Sequence, residues 1–259
     1  MRVATDIGGT FTDLVFFEYD KKNKEVTNVK VSKSSTTPGE YEKGILNTIK
    51  KIDLDLNTIE FFAHGTTVVI NAITERKGAK TALITTEGFR DVLEIARGTR
   101  PDLYNFNFKK EAPFVARYLR HEVKERINYL GEIITPLDTR NVDEMVKYFI
   151  SENVESIAIC LLHAYKNPIH EKQLGELIKQ NYPNIEVITS HEVSREWREY
   201  ERTSSTVLSA YVKPIATKYL NNLTDNLRKL GYKNNLYIMQ SNGGITTVED
   251  VKANPITHL

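Results

Sequence analysis

The sequence predicts an α/β protein built around a mixed β-sheet. Three observations carry that expectation: three consecutive strand-like segments before the first helix, strand–helix alternation after it, and a composition of 40% hydrophobic and 27% charged residues over 259 positions, ordinary for a globular chain. Consecutive strands favour antiparallel hairpins, whereas a helix between strands allows a parallel crossover, so the two patterns together give a mixed sheet.

Arg2 to Ile7 runs into Gly8-Gly9, and Phe11 to Tyr19 leaves it through the apolar block Leu14, Val15, Phe16 and Phe17, giving two strands joined by a turn. Lys24 to Ser32 is a third strand. Thr37-Pro38-Gly39-Glu40 has capping-box spacing with proline at the first helical position, and the helix it opens places Tyr41, Ile45, Ile49 and Ile52 on one face. Ile59 to Ala63 is a fourth strand, followed by His64-Gly65-Thr66-Thr67, whose threonines can cap a helix through Arg76. Thr81 to Thr85 is a fifth strand and Phe89 to Ala96 a short helix.

Periodicity is lost from Arg97 to Ala116. His121 to Ile127 alternates Val123, Glu125 and Ile127, and Gly131 separates it from Glu132 to Thr135, which reads as an inserted hairpin. A second α/β run follows. Val142, Met145, Val146, Phe149 and Ile150 form a helix face behind Asn141 and Glu144, and Ile157 to Leu162 is apolar throughout, as in a strand buried on both faces. Asn167-Pro168 starts a helix bearing Leu174, Leu177 and Ile178, and Ile185 to Ile188 is a strand. Ser194 to Val212 and Pro214 to Leu230 read as two helices or one kinked at Pro214, with Ile215, Tyr219, Leu223, Leu227 and Leu230 inward. Leu236 to Gln240 is a strand and Ser241-Asn242-Gly243-Gly244 a turn.

Charge narrows the function. With 35 Lys+Arg against 34 Asp+Glu, a formal balance of +1, a nucleic-acid binder is not expected. No apolar run approaches the ~20 residues of a bilayer span and no cleavage-site pattern follows the amino terminus, so the expectation is a cytoplasmic protein without membrane contact. The single Cys160 sits inside an apolar strand and reads as a core residue. His163 and His170 lack the spacing of a helix-borne zinc pair, and no GxSxG nucleophile elbow is present.

The chemistry concentrates in Asp6-Ile7-Gly8-Gly9-Thr10-Phe11-Thr12-Asp13. Paired glycines let backbone N–H groups approach an anion, Thr10 and Thr12 add hydroxyl donors, and Asp6 can hold a divalent cation through water. The pattern is neither a Walker loop nor a dinucleotide GxGxxG. The same residues also suit a plain β-hairpin in which Gly8 and Gly9 take positive φ. His64-Gly65-Thr66-Thr67 offers a helix amino end for an anion and a proton donor in His64, or simply a capped helix after a strand-end histidine. Arg97, Arg100, Asp102 and Tyr104 lie on a loop that can bind a polar ligand or form ordinary surface salt bridges. Glu199, Tyr200, Glu201 and Arg202 read as a solvated helix face. Ser241 to Gly244 is first a turn, with nucleotide contact as the alternative.

DIGGTFTDLV resembles the first phosphate motif of the actin-like ATPase superfamily, and the strand order is similar to its ribonuclease-H-like half. More narrowly, HGTTVVINAITERKGAKTALITTEGFRDVLEIARGTRPDLY, SREWREYERTSSTVLSAYVKPI and YIMQSNGG resemble the hydantoinase A/oxoprolinase family, which includes ATP-dependent hydantoin and 5-oxoproline hydrolases and subunits of acetone and acetophenone carboxylases. The resemblance covers essentially the whole chain. It implies residues 1–190 as the hydantoinase/oxoprolinase amino-terminal region, with an insertion at about 97–136, and residues 191–259 as the truncated beginning of a following hydantoinase A domain.

It further implies an ATP- and Mg2+-dependent amidohydrolase acting on a cyclic amide through carbonyl-oxygen phosphorylation, working with a second, hydantoinase B-type subunit. The alternatives are a ketone carboxylase subunit, a sugar-type kinase, or an actin- or chaperone-like nucleotide switch. Under this resemblance Asp6, Asp13 and His64 are the catalytic candidates, with Asp6 also the metal candidate. Gly8, Gly9, Thr10, Thr12, Gly65, Thr66 and Thr67 contact the nucleotide. A second Asp-x-Gly-Gly-Thr motif is expected beyond Leu259, so this stretch alone is expected to bind nucleotide weakly and not to turn over.

Overall fold

The computed structural model describes residues 1–37, 39–99 and 102–258. Pro38 and Arg100, singled out above, lie outside them. In chain order the first elements are β1 (Arg2–Ile7), β2 (Phe11–Asp20), β3 (Glu25–Ser35), α1 (Glu42–Lys51), β4 (Phe61–Thr66) and α2 (Val68–Thr74). Next come β5 (Thr81–Thr86), α3 (Val92–Ile95), β6 (Arg120–Val123), β7 (Arg126–Ile127), β8 (Ile133–Thr135), α4 (Val142–Ser151), β9 (Ser156–Cys160), α5 (Ile169–Asn181), β10 (Glu186–Thr189) and α6 (Ser190–Val193). The chain closes with α7 (Glu199–Lys229), β11 (Leu236–Met239), β12 (Ile245–Thr247), α8 (Val248–Ala253) and α9 (Pro255–His258). Among the described residues, no helix is long and apolar enough to cross a membrane.

Two compact units result, Met1–Lys77 with Ile215–Leu259, and Gly78–Pro214. In the first, six strands lie in the order β12-β11-β4-β1-β2-β3. The β1–β2 and β2–β3 pairs are antiparallel, as hairpins require, while β4 joins β1, and β11 joins β4, in parallel after helical crossovers. This is the mixed sheet expected from the strand order. One face is apolar: Val3, Ile7, Leu14, Phe16 and Phe62 from the strands meet Ile45 and Ile49 of α1 and Leu220, Leu223 and Leu227 of α7 in one core. Period-2 alternation turns Asp6, Phe11, Asp13 and Val15 to the other face, where they are exposed. Gly231, at φ +100, ends α7 in the left-handed region that glycine adopts without strain.

The second unit is built on a four-stranded parallel sheet, β10-β9-β5-β6. Every residue of β5 and β9 is buried, which explains why they carry only apolar residues and small hydroxyl residues.

Several local expectations shift for identifiable reasons. The helix expected from the Thr37–Glu40 capping box starts at Glu42, because Gly39 takes φ +83, which no right-handed helix contains. The segment read as one strand from His121 to Ile127 divides: β6 pairs with β5, and β7 forms a two-stranded hairpin with β8. The break falls where Glu125 turns inward to pair with His170. α2 ends at Thr74, two residues short of Arg76, which has φ +53. α3 covers only Val92–Ile95, stopped by Ala96 at φ +52. α7 begins at Glu199 rather than Ser194 and runs through Pro214 as one helix.

Candidate active site

Parallel strands bring their carboxyl ends to one edge of a sheet, and the loops that follow them collect there. In the first unit this applies to β1, β4 and β11, followed respectively by Gly8–Thr10, Thr67 and Gln240–Gly244. The β1–β2 turn is closed by Gly8 N donating to Phe11 O at 2.9 Å. It is braced by Thr36, the residue after β3: Thr36 N donates to Thr10 O and Thr36 Oγ1 to Gly8 O, both at 2.9 Å. Thr67 braces it from the other side, its hydroxyl donating to Ile7 O at 3.1 Å.

The glycines of this turn are not conformational necessities. Neither Gly8 nor Gly9 has a positive φ, so the plain-hairpin rationale does not account for them. A Cβ on Gly9 would meet no atom within 4 Å, and one on Gly8 would meet only Phe11 O at 3.4 Å. The space is a cradle that side chains would fill. Gly65 is bare for a second reason, since its Cβ would lie 2.9 Å from Asp6 Oδ1. Asp6 therefore reaches over β4 on the open face, next to the turn. Register places Asp13 directly opposite Asp6 on the same face, where Lys33 Nζ lies 3.2 Å from its Oδ1. Open backbone, the exposed Thr10 and two adjacent carboxylates form a donor set that fits a phosphate chain with a hydrated divalent cation.

Two expected members are turned away. β4 extends through Thr66, so His64 lies within the strand, one position from Gly65 and hence on the opposite face. Its ring is fully buried, with Nδ1 2.8 Å from Thr5 Oγ1 and Nε2 2.5 Å from Tyr219 Oη. Burial pushes its pKa down to about 3, so it is a neutral core residue, separated by the sheet from Asp6 and Asp13. The same burial raises the Tyr219 phenol far above its usual value. Thr12 is likewise 0% exposed, its hydroxyl 3.1 Å from that of Thr36 beneath α1, and cannot face a ligand at the turn. Thr66 Oγ1 accepts from Val68 N at 3.2 Å, while no side chain caps α2 at Thr67. Gln240 N donates to Gly244 O at 2.8 Å, closing the turn expected there.

A second polar cluster, in the second unit, was not anticipated. Arg202 is 1% exposed, not part of a solvated face. It donates to Leu161 O at 2.6 Å, Glu196 O at 3.0 Å and Ser190 Oγ at 3.1 Å. Buried Glu171 accepts from Leu161 N at 2.8 Å, Ser190 Oγ at 2.6 Å and His191 N at 2.9 Å, with His191 Nδ1 at 2.8 Å. A similar pair, Glu125 and His170, lies at 2.7 Å, with Thr86 donating to Glu125. Cys160 is buried beside Thr203, and burial raises its thiol pKa. On the loop, Arg97 is ion-paired with Glu201, while Asp102 and Tyr104 are exposed.

Comparison with known proteins agrees with this architecture. Residues 2–182 match the profile of the hydantoinase/oxoprolinase N-terminal region, and residues 202–259 that of hydantoinase/oxoprolinase. An uncharacterized protein of Methanocaldococcus jannaschii is 43% identical over 98% of this chain and 37% of its own length. Caprolactamase subunit alpha of Pseudomonas jessenii is 32% identical over 94% of this chain and 36% of its own. The acetophenone carboxylase gamma subunit of Aromatoleum aromaticum is 30% identical over 93% and 35%. The chain thus spans little more than a third of the length of these relatives. Among solved structures, the ATP-dependent caprolactamase from Pseudomonas jessenii superposes with a TM-score of 0.84 at 29% identity, covering 99% of this chain and 38% of that one. Nucleotide-free acetone carboxylase gives 0.82 at 23% identity over 99% and 38%, a likeness of fold. The chain belongs to the hydantoinase/oxoprolinase family.

Proposed function

We propose that this chain carries the first phosphate-binding element of a cytoplasmic, ATP-dependent amidohydrolase that opens a cyclic amide together with a second, hydantoinase B-type subunit. The observation that carries it is the bare glycine turn beside Asp6, with Gly65 kept free of a side chain under the same carboxylate. The 32% identity to caprolactamase subunit alpha supports a cyclic amide as the substrate class.

Asp6 is assigned to hold Mg2+ through water, and Asp13 to orient that water. Gly9 and Thr10 present backbone N–H groups, and Thr10 a hydroxyl, to phosphate oxygens. Gly65 gives the Asp6 carboxylate its room, and Thr36 and Thr67 hold the turn in place. When bound, Mg-ATP supplies a phosphoryl group that converts a poorly reactive carbonyl oxygen into a leaving group before hydrolysis. Such transfer depends on positioning and charge neutralisation, which a rigid turn on a sheet edge provides. His64 and Thr12 have no contact role in this assignment; both hold the sheet beneath the turn.

A second reading, phosphorylation of a ketone enolate oxygen ahead of carboxylation, is favoured by the 30% identity to the acetophenone carboxylase gamma subunit. Product analysis of the native complex separates the two. ATP-dependent ring opening of caprolactam, 5-oxoproline or hydantoin, lost in Asp6→Asn, is the expected result. Bicarbonate-dependent carboxylation of a ketone would select the second reading, and wild-type turnover in Asp6→Asn would remove Asp6 from the site.

A further inference from the structure

Cross-strand register places four residues in one row over the open face of the first unit. Gly65 of β4 lies opposite Asp6 of β1, Asp6 opposite Asp13 of β2, and Asp13 opposite Lys33 of β3. Two carboxylates thus stand side by side, and like charges directly opposite on neighbouring strands repel. Lys33 Nζ relieves this, 3.2 Å from Asp13 Oδ1 and 4.7 Å from the centre of the Phe11 ring. Phe11 adjoins Thr10 and is one same-face step nearer the glycine turn than Asp13, so the ammonium contacts both the acidic row and the residue that follows the turn.

The backbone beneath Lys33 is fixed to the same turn. Three residues on, Thr36 makes the two hydrogen bonds that brace Gly8 and Thr10, and Lys51 Nζ donates to Lys33 O at 2.6 Å. The side chain itself is 57% exposed, its charge in contact with Asp13 and the Phe11 ring. A lysine suits a mobile role, being a compact charge with three donors on a flexible stem.

We propose that Lys33 is the exchangeable counter-ion of this site, paired with Asp13 in the absence of metal and transferring to a phosphate oxygen of a nucleoside triphosphate when a divalent cation occupies the acidic row. The inference rests on the phosphate-site reading above and adds the residue that couples metal occupancy to phosphate binding. A cation at Asp6 and Asp13 neutralises the partner that holds Lys33 and repels its ammonium. A phosphate at the turn is then the nearest anionic partner.

The test measures Mn2+ alone, by water-proton relaxation, and Mg-ATP, by phosphorus NMR titration, in wild type, Lys33→Met and Asp6→Asn. Methionine keeps an apolar stem over Phe11 and removes the charge. Lys33→Met is expected to bind Mn2+ alone several-fold more tightly, because a competing cation is gone, and Mg-ATP about tenfold more weakly, the scale of one lost charge-assisted hydrogen bond. Opposite signs are the signature, since a merely structural role would move both constants the same way. Constants that are unchanged or shift together in Lys33→Met, while Asp6→Asn loses Mn2+, overturn the counter-ion role and leave the phosphate site standing. Absence of binding in wild type, or wild-type binding in Asp6→Asn, overturns the phosphate site and this inference with it.

Discussion

Replacing Gly65 with alanine would put a methyl carbon 2.9 Å from Asp6 Oδ1, 3.6 Å from Asp6 Cγ and 3.7 Å from Thr5 O. An unstrained carbon–oxygen contact needs about half an ångström more than the first of these. Asp6 is exposed and its carboxylate is the end of a short flexible side chain, so rotation relieves the clash cheaply. Thermal stability is therefore expected to stay within the ±0.5 kcal/mol typical of surface changes. The carboxylate, however, is moved off its position beside the turn by the same half ångström. Misplacement by ~1 Å can cost ~100-fold at a site that works by positioning, so about tenfold is expected here. The assay is a phosphorus NMR titration with Mg-ATP beside a melting curve. Unchanged affinity in Gly65→Ala would show that the Asp6 carboxylate does not act where β4 leaves room for it. A collapse in melting temperature would show that Gly65 serves the fold instead.

Gly44→Ala provides the opposite case, because its Cβ would lie 2.3 Å from Thr12 Oγ1 and 3.0 Å from Thr12 Cβ inside the core. A helix-propensity gain of about 1 kcal/mol is outweighed by overpacking of about 1–3 kcal/mol, so melting a few degrees lower is expected; an unchanged or raised melting temperature would contradict the packing. For His64, the folded pKa of about 3 lies below the ordinary 6.5, so the unfolded chain alone takes up the proton between those values. Its contribution is complete above about pH 6.5 and is lost at up to ~1.4 kcal/mol per unit as pH falls. Urea unfolding against pH should show a shallower acid slope in His64→Gln, and an identical slope would mean that His64 titrates normally. Arg202→Met should destabilise the second unit by about 3–5 kcal/mol, as expected for breaking a buried charged network, whereas a solvated arginine would cost less than ~0.5 kcal/mol. Denaturant titration distinguishes the two.

The strands and most helices were legible because burial imposes period 2 or 3.6 on the apolar residues. The β1–β2 hairpin, the face of α1 and the buried β9 all followed from that. What failed was parity at the site. Asp6, Asp13 and Gly65 share one face of the sheet, and Thr5, Thr12 and His64 the other; for Gly65 and His64 that follows only if β4 continues through Gly65 and Thr66. Those residues have the composition of a turn and helix cap, and the sequence reads as a strand ending at Ala63. Pairing with β1, residue for residue from Phe61 to Thr66, holds them extended.

Arg202 illustrates a different limit. Its neighbours Glu199 and Glu201 are charged, the first exposed and the second half-buried, and local charge spacing alone reads Glu199, Tyr200, Glu201 and Arg202 as one solvated face. Its real partners, Leu161 O and Ser190 Oγ, are 41 and 12 positions away in the chain, contacts that no local pattern encodes. The glycine turn was the reverse case. Chemistry pointed to it from sequence, and the backbone angles then removed the conformational excuse for its glycines.

The most direct measurement is paramagnetic broadening of backbone amide signals by Mn-ATP in isotope-labelled protein. Broadening should appear first at Gly8, Gly9 and Thr10, extend to Asp6, Asp13 and Gly65, and vanish in Asp6→Asn. Broadening confined to residues of the second unit, or persisting unchanged in Asp6→Asn, would contradict the assignment of this sheet edge as the phosphate site.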